Sequence, residues 1–317
     1  MHLLVAGGAG FIGSTFVRQL LGDTAPPRVT VLDKLTYAGN LANLSPVADR
    51  PELRFVRGDI TDAPLLDDVM RDVDAVVNFA AESHVDRSIR NAADFVATNV
   101  VGTQRLLDAA LAARVARFVQ VSTDEVYGSI DAGHWTESTP PDPSSPYSAT
   151  KAAADLLVLA YARTHGMDVG ITRCGNNYGP YQHPEKLVPR FVTTLLDGGT
   201  VPLYGDGGHM REWIHVEDHC RAIRLVLAQG TPGGVYNVGG GTELTNREMT
   251  SRLLDACGAD WGSVRYAEDR KGHDRRYAVD DTRLRGLGHR PRVAFDRGLA
   301  ETVAWYRDNP AWWKGRA

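Results

Sequence analysis

Cysteine is scarce in this 317-residue chain: Cys174, Cys220 and Cys257 are odd in number, far apart, and form no CxxC pair. That excludes a disulfide framework and a cysteine zinc site, so no metal is expected, and it fits a reducing, cytoplasmic compartment. No apolar run approaches the ~18 residues of a membrane span. Met1 to Gly7 reaches glycine without the charged n-region and longer apolar stretch of a signal peptide, so no membrane partner is expected. A dominant charge is also missing: 35 Lys and Arg stand against 39 Asp and Glu, a formal net charge of −4, with no long run of either sign. Such a balance carries no electrostatic footprint for nucleic acid, although it is compatible with a phosphate-bearing small molecule. Internal repeats, low-complexity tracts and a Pro/Ser linker are absent too, which excludes solenoids and strings of independent domains. Only 5 lysines accompany 30 arginines, so each lysine is informative.

What is present is ordinary for a globular protein: 43% hydrophobic and 23% charged residues. At roughly 150 residues per domain, the length suits two domains or one large domain with an appendage. Short apolar runs at 3–6, 29–32, 53–56, 75–79, 117–121 and 169–172 alternate with helical patterns at 11–21, 64–71, 93–113 and 146–164. That alternation predicts an α/β fold with a doubly wound parallel sheet. After about residue 174 the texture turns to short segments broken by Gly and Pro, with helical stretches at 217–227, 246–257 and 297–307. This reads as a smaller, loop-rich portion built onto the sheet. Trp312 and Trp313, after Pro310, read as cover for a core edge.

Gly8-Ala9-Gly10-Phe11-Ile12-Gly13 satisfies GxGxxG after a predicted strand and at the opening of a predicted helix, and Gly7 extends it to GxxGxxG. Glycines permit the tight turn, the close approach of a pyrophosphate and close helix–strand packing, so a side chain at Gly10 should obstruct it. A glycine-rich turn without a ligand is the bland alternative; strand, helix and Asp33 at the end of the second strand argue against it. An acid there bonds ribose hydroxyls and repels a 2′-phosphate, which favours NAD over NADP. Asp59 ends the next strand near the expected crevice, although on its own it reads as a helix cap.

Tyr147 and Lys151 lie four residues apart on a predicted helix, so both face one cleft. Random placement of the tyrosines and lysines would give about 0.17 YxxxK pairs, and this is the only one. An adjacent ammonium and a positive nicotinamide ring would lower the phenol's pKa. Asp124 and Glu125 follow the fifth predicted strand, at the carboxyl end where open α/β sheets hold ligands. On a surface they would merely be solvated; in a closed cleft they serve as acid and base if their surroundings separate their pKa values.

With these motifs in place, the chain resembles the extended short-chain dehydrogenase/reductases, and within them the dTDP-glucose 4,6-dehydratases, essentially end to end. The resemblance rests on residues 7–13, 33–40, 80–88, 122–128, Tyr147 with Lys151, and 173–181. Asp124-Glu125 discriminates most, because related sugar-nucleotide epimerases usually lack that pair. The resemblance implies a Rossmann domain over residues 1–173 that binds NAD. Residues 174–317 would mainly bind the sugar nucleotide, with some segments returning to the sheet. It further implies conversion of dTDP-glucose to a 4-keto-6-deoxy sugar nucleotide and water by C4 oxidation, C5/C6 elimination and C6 reduction. Tyr147, held by Lys151 and Thr123, would take the C4 hydroxyl proton, Glu125 the C5 proton, and Asp124 would protonate the leaving C6 hydroxyl.

The same resemblance assigns NAD to Gly7, Gly10, Phe11, Ile12, Gly13, Asp33, Lys34, Leu35, Thr36, Asp59, Ile60, Phe79, Ala80, Ala81, Glu82, Ser83, Thr98, Tyr147, Lys151 and Asn177. It assigns the substrate to Ser83, Thr123, Asn176, Lys186, Leu187, Pro202, Leu203, Tyr204, Arg211, Asn246, Arg270 and His273. Arg211 and Arg270 offer forked donors suited to phosphate, and Tyr204 a face for the base. Lys271 departs from the family, which commonly has proline there. Residues 93–113 and 146–164 would pair across a twofold axis into a four-helix homodimer interface. The competing readings are an NAD-dependent sugar-nucleotide 4-epimerase, which lacks the elimination, and a noncatalytic NAD-binding regulator.

Overall fold

The computed structural model describes residues 1–269 and 272–314. Among them, the chain forms strands β1 (His2–Ala6), β2 (Arg28–Asp33), β3 (Leu53–Arg57), β4 (Ala75–Asn78), β5 (Arg117–Thr123) and β6 (Val169–Cys174). In the second half follow β7 (Asn176–Tyr178), β8 (Val201–Tyr204), β9 (Met210–His215), β10 (Gly234–Val238), β11 (Thr242–Thr245) and β12 (Val264–Ala267). All six strands expected from the apolar runs are present.

Seven strands make one parallel Rossmann sheet in the order β10-β6-β5-β4-β1-β2-β3. Successive strand residues point to opposite faces, so each strand feeds two cores. Leu3, Val5, Val29 and Val31 pack against Phe16 and Val17 of the Phe11–Leu21 helix on one face. Leu4, Ala6, Leu32 and Val76 pack against Leu106, Leu107 and Val158 on the other. The order reverses between β1 and β4, which opens a crevice at their carboxyl ends.

The second half does not stand apart. β10 pairs with β6, and Ile223 and Val226 of the Val216–Gln229 helix enter the first sheet core. The remainder forms the β11-β9-β7 and β12-β8 sheets, with a third core under the helices Leu187–Leu196, Asn246–Cys257 and Phe295–Asp308. Trp313, 4% exposed, closes this core. Among the described residues, no helix is long and apolar enough to cross a membrane.

Two local readings need correction. The stretch 93–113 is not uniformly α-helical: it runs Ala93–Phe95, then a π-helical segment Val96–Gly102, then Thr103–Ala112. The cap of the Ala63–Val69 helix is Asp62, whose side chain accepts from Leu65 N, and not Asp59.

Candidate active site

The glycine turn joins β1 to the Phe11–Leu21 helix, whose N-cap is Gly10 with no side-chain cap. Its open N-terminus therefore presents backbone donors and the positive end of the helix dipole to an anion. Gly7 has φ +74°, and a Cβ there would sit 2.5 Å from Ala80 N, while one at Gly13 would sit 2.3 Å from the Gly7 carbonyl. At Gly10 a Cβ would sit 3.3 Å from the Gly7 carbonyl, which a shift of a few tenths of an ångström relieves, so the packing demands glycine far less there than at Gly13; a side chain would fill the cradle itself.

Asp33, at the end of β2, is 9% exposed and accepts from Ala9 N at 3.0 Å and Leu35 N at 2.8 Å. Burial pushes its carboxyl up, and those backbone bonds and Lys34 work against this. Lys34 bridges to Asp59 at 3.2 Å, and Asp59 also accepts from Thr61 N. Gly7, Gly10, Asp33, Lys34, Thr36, Asp59, Ile60, Phe79, Ala80, Ala81, Glu82 and Thr98 line one end of the crevice. The tight glycine cradle, uncapped helix and buried acid fit a dinucleotide. Leu35 is the exception among the residues expected there: its side chain packs on the sheet core, and its N–H reaches Asp33.

The crevice continues into a cavity of about 290 Å³ that brings together Phe11, Ile12, Gly13, Ser83, Thr123, Asp124, Glu125, Tyr147, Lys151, Asn176 and Asn177. Tyr147 and Lys151 stand on the Pro146–His165 helix, started by a Ser145–Ser148 capping box and ended by Gly166 in the left-handed region. Asp124 and Glu125 open a 3₁₀ turn, Asp124–Tyr127, whose first N–H groups are capped by the Thr123 hydroxyl accepting from Glu125 N at 3.2 Å. Asn99, from the π-helical segment, ties down the β4 exit loop: it accepts from Glu82 N at 2.9 Å and donates to Glu82 O and Thr150 Oγ1. His219 contacts the Asn177 side chain at 2.9 Å.

Electrostatics separate the two adjacent carboxyls. Asp124 is 2% exposed, and burial, then Glu125 and Glu212, hold its carboxyl well above the usual range against Arg211 and Thr123. That direction favours the protonated acid, the form a proton donor needs. Tyr147 departs from expectation. Burial, then Glu125 and Cys174, push its phenol well above the ordinary value, with a Thr123 hydrogen bond working the other way. Lys151 for its part donates to the Val121 carbonyl at 2.7 Å, and burial lowers the ammonium's own pKa. Lowering the phenol therefore requires a further positive charge beside it.

A second cavity beyond Glu125 gathers Asn176, Lys186, Leu187, Pro202, Leu203, Tyr204, Arg211, Asn246 and His273. All but His273, which lies in the segment after β12, come from the β7, β8 and β9 strands and the starts of the Leu187–Leu196 and Asn246–Cys257 helices. Lys186 Nζ donates to Ser83 O at 2.6 Å, linking this side to the β4 exit loop. Arg211 is aimed by donation to the Asp274 carbonyl at 2.9 Å and lies 4.3 Å over the Tyr277 ring. Arg270 and Lys271 lie outside the described residues.

Sequence reasoning missed His84, Asp86, Glu185, Arg190 and Tyr277, which line the same cavity. Three of them lie within or beside motifs already singled out, but Arg190 and Tyr277 carry no spacing signal. One potential metal group was also not anticipated: His209, Asp269 and His273 offer donor atoms within 4.8 Å of one another. The two imidazoles stack at 3.6 Å with planes 14° apart, so their in-plane lone pairs run parallel and do not converge on one ion.

Comparison with known proteins agrees with this geometry. A dTDP-glucose 4,6-dehydratase of Streptomyces niveus is 60% identical over 319 residues, spanning 99% of this chain and 95% of that protein. The crystal structure of DesIV, a dTDP-glucose 4,6-dehydratase from Streptomyces venezuelae with NAD and TYD bound, is 64% identical, with 100% of both chains covered and a TM-score of 0.98. A UDP-glucose 4-epimerase from Thermotoga maritima shares the architecture at 31% identity and a TM-score of 0.91, covering 98% of this chain and 100% of that one. A family model for GDP-mannose 4,6 dehydratase matches residues 4–302, most of the chain's length, and the chain therefore belongs to that family within the extended short-chain dehydrogenase/reductases.

Proposed function

We propose that this protein is an NAD-dependent hydro-lyase that converts dTDP-D-glucose to dTDP-4-keto-6-deoxy-D-glucose and water. The observation that carries the reading is the buried Asp124 beside Glu125 in the cavity that also holds Tyr147 and Lys151. The dTDP-sugar preference rests on the relatives, and the Asp33 end of the crevice supports NAD.

When bound, NAD supplies the hydride acceptor for C4 and, once reduced, the hydride donor for C6. The protein's own groups manage the protons. Tyr147, as the phenolate held by Lys151 and the Thr123 hydroxyl, would take the C4 hydroxyl proton, a state that the positive ring of bound NAD favours. The resulting ketone acidifies the C5 proton, which Glu125 removes, while Asp124 donates its proton to the departing C6 hydroxyl and water leaves. Glu125 then returns a proton to C5. Arg211, with His273 and Asn246, holds the diphosphate side, and Tyr204 the base.

The chain would assemble as a homodimer built on residues 93–113 and 146–164. Exposed apolar side chains on these stretches support it: Val96 is 46%, Val101 42% and Leu156 57% exposed.

Purified protein incubated with dTDP-glucose, and in parallel with UDP- and CDP-glucose, tests the function by mass spectrometry. Loss of one water from dTDP-glucose is expected. No mass change but formation of the galactose isomer would replace the reading with a 4-epimerase; cofactor retention with neither change would favour the noncatalytic regulator.

A further inference from the structure

We infer that Asp155 is a positioning residue for this chemistry: its buried carboxylate, one helical turn beyond Lys151, is the counter-charge that keeps the Lys151 ammonium protonated next to Tyr147. The inference rests on reading Tyr147 and Lys151 as the catalytic pair.

Tyr147, Lys151 and Asp155 follow one another at intervals of four on the Pro146–His165 helix, so they share one face. Helical side chains lean toward the N-terminus, which carries the Asp155 carboxylate back toward the lysine turn. Both groups are inside the protein, Asp155 0% and Lys151 4% exposed. The hydrogen bond from Lys151 Nζ to the Val121 carbonyl orients the ammonium but supplies no full charge. Burial pushes the lysine toward its neutral form, and Asp155 is the largest influence opposing that, ahead of Cys174 from β6. Cys174 brings no charge at neutral pH, because burial holds its thiol at about 12. Asp124, next after β5, has its carboxyl pushed up by burial and does not figure among the charges that raise Lys151, and Glu125 acts on Tyr147.

Burial raises the Asp155 carboxyl from its ordinary value, and the Arg173 guanidinium on its far side, then Lys151, oppose that and favour the carboxylate. Arg173 Nε, on β6, donates to its Oδ2 at 2.8 Å. The guanidinium is fixed by donation to Tyr127 Oη at 2.9 Å and lies 4.8 Å over that ring, and Tyr127 donates to Asn237 at 2.9 Å. A buried ion pair of this kind is weak evidence for stability, since apolar residues often do as well. Its place, one turn from the lysine, supplies the reason for it.

The chain's five lysines make a direct test practical. With ¹³C at the lysine ε carbons of the full-length protein, Lys151 is assigned as the signal lost in Lys151→Arg, and its titration is followed in the parent and in Asp155→Asn. Loss of the Lys151 proton at a pH about one unit lower is expected, a tenfold change in the ammonium ratio. The alkaline limb of the pH profile for C4 oxidation should fall with it. If the unpaired Arg173 prevents Asp155→Asn from folding, Asp155→Asn with Arg173→Gln removes both charges and should show the same direction of shift. A folded variant in which Lys151 titrates as in the parent would overturn the inference. The titration needs no substrate, so its failure is distinct from failure to dehydrate any sugar nucleotide.

Discussion

Asp124 and Glu125 are chemically similar neighbours with different surroundings. Asp124 is fully enclosed and faces the carboxyl groups of Glu125 and Glu212, so ionising it would put a charge in a low-dielectric space among acidic neighbours. Glu125 opens onto both the sugar-side and cofactor-side cavities, where a base must meet C5. Asp124→Asn should slow elimination by about 10²–10⁴ while leaving C4 oxidation nearly intact. Single-turnover absorbance would then show reduced nicotinamide accumulating, and unchanged elimination would remove Asp124 from the acid role. Glu125→Gln should slow exchange of solvent deuterium into C5 to a similar degree; exchange at the parent rate would mean that another group is the base.

At the level of elements, the β1 turn separates two demands on glycine that the GxGxxG pattern merges. Gly13 is required by the protein's own packing, whereas Gly10 is required by what lies in the cradle. Gly13→Ala should therefore lower stability by ~1–3 kcal/mol, read by denaturant midpoint. Gly10→Ala should keep the parent midpoint and lose the NAD retained through gel filtration. Full NAD retention by Gly10→Ala would place the pyrophosphate elsewhere. The Val96–Gly102 π segment shows the same economy of position, because it sets Thr98 at the cofactor end and Asn99 against Glu82 and Thr150.

For the molecule as a whole, the exposed apolar residues on two long helical stretches set the assembly prediction. Light scattering of the parent at low concentration should give twice the chain mass. Leu156→Asp, at a 57% exposed position, should give the monomer mass without loss of helical circular dichroism. A parent that scatters as a monomer would end the four-helix proposal. The same scale explains why the two halves do not behave as separate bodies in the fold: β10 extends the sheet begun by residues before it, and the Val216–Gln229 helix covers that sheet's face.

Much of this was legible in the chain itself. Strand positions followed from apolar runs because a parallel sheet covered on both faces buries nearly every strand residue, and the glycine turn, Asp33 and Tyr147-Lys151 followed from local geometry that needs only a few adjacent residues. The direction of the Leu35 side chain was not legible: its motif neighbours face the crevice while it turns to the core, leaving only its backbone on the crevice side of the motif. Tyr277 was invisible because nothing in its spacing announces that it will lie under Arg211. Proton affinity was likewise a tertiary decision: the Asp124 carboxyl and the Tyr147 phenol are both pushed up through burial and through charges brought from other parts of the chain. Residue type and local spacing thus determined which chemistry was available, whereas desolvation and long-range charge, which exist only once the chain has closed on itself, decided the state in which each group waits.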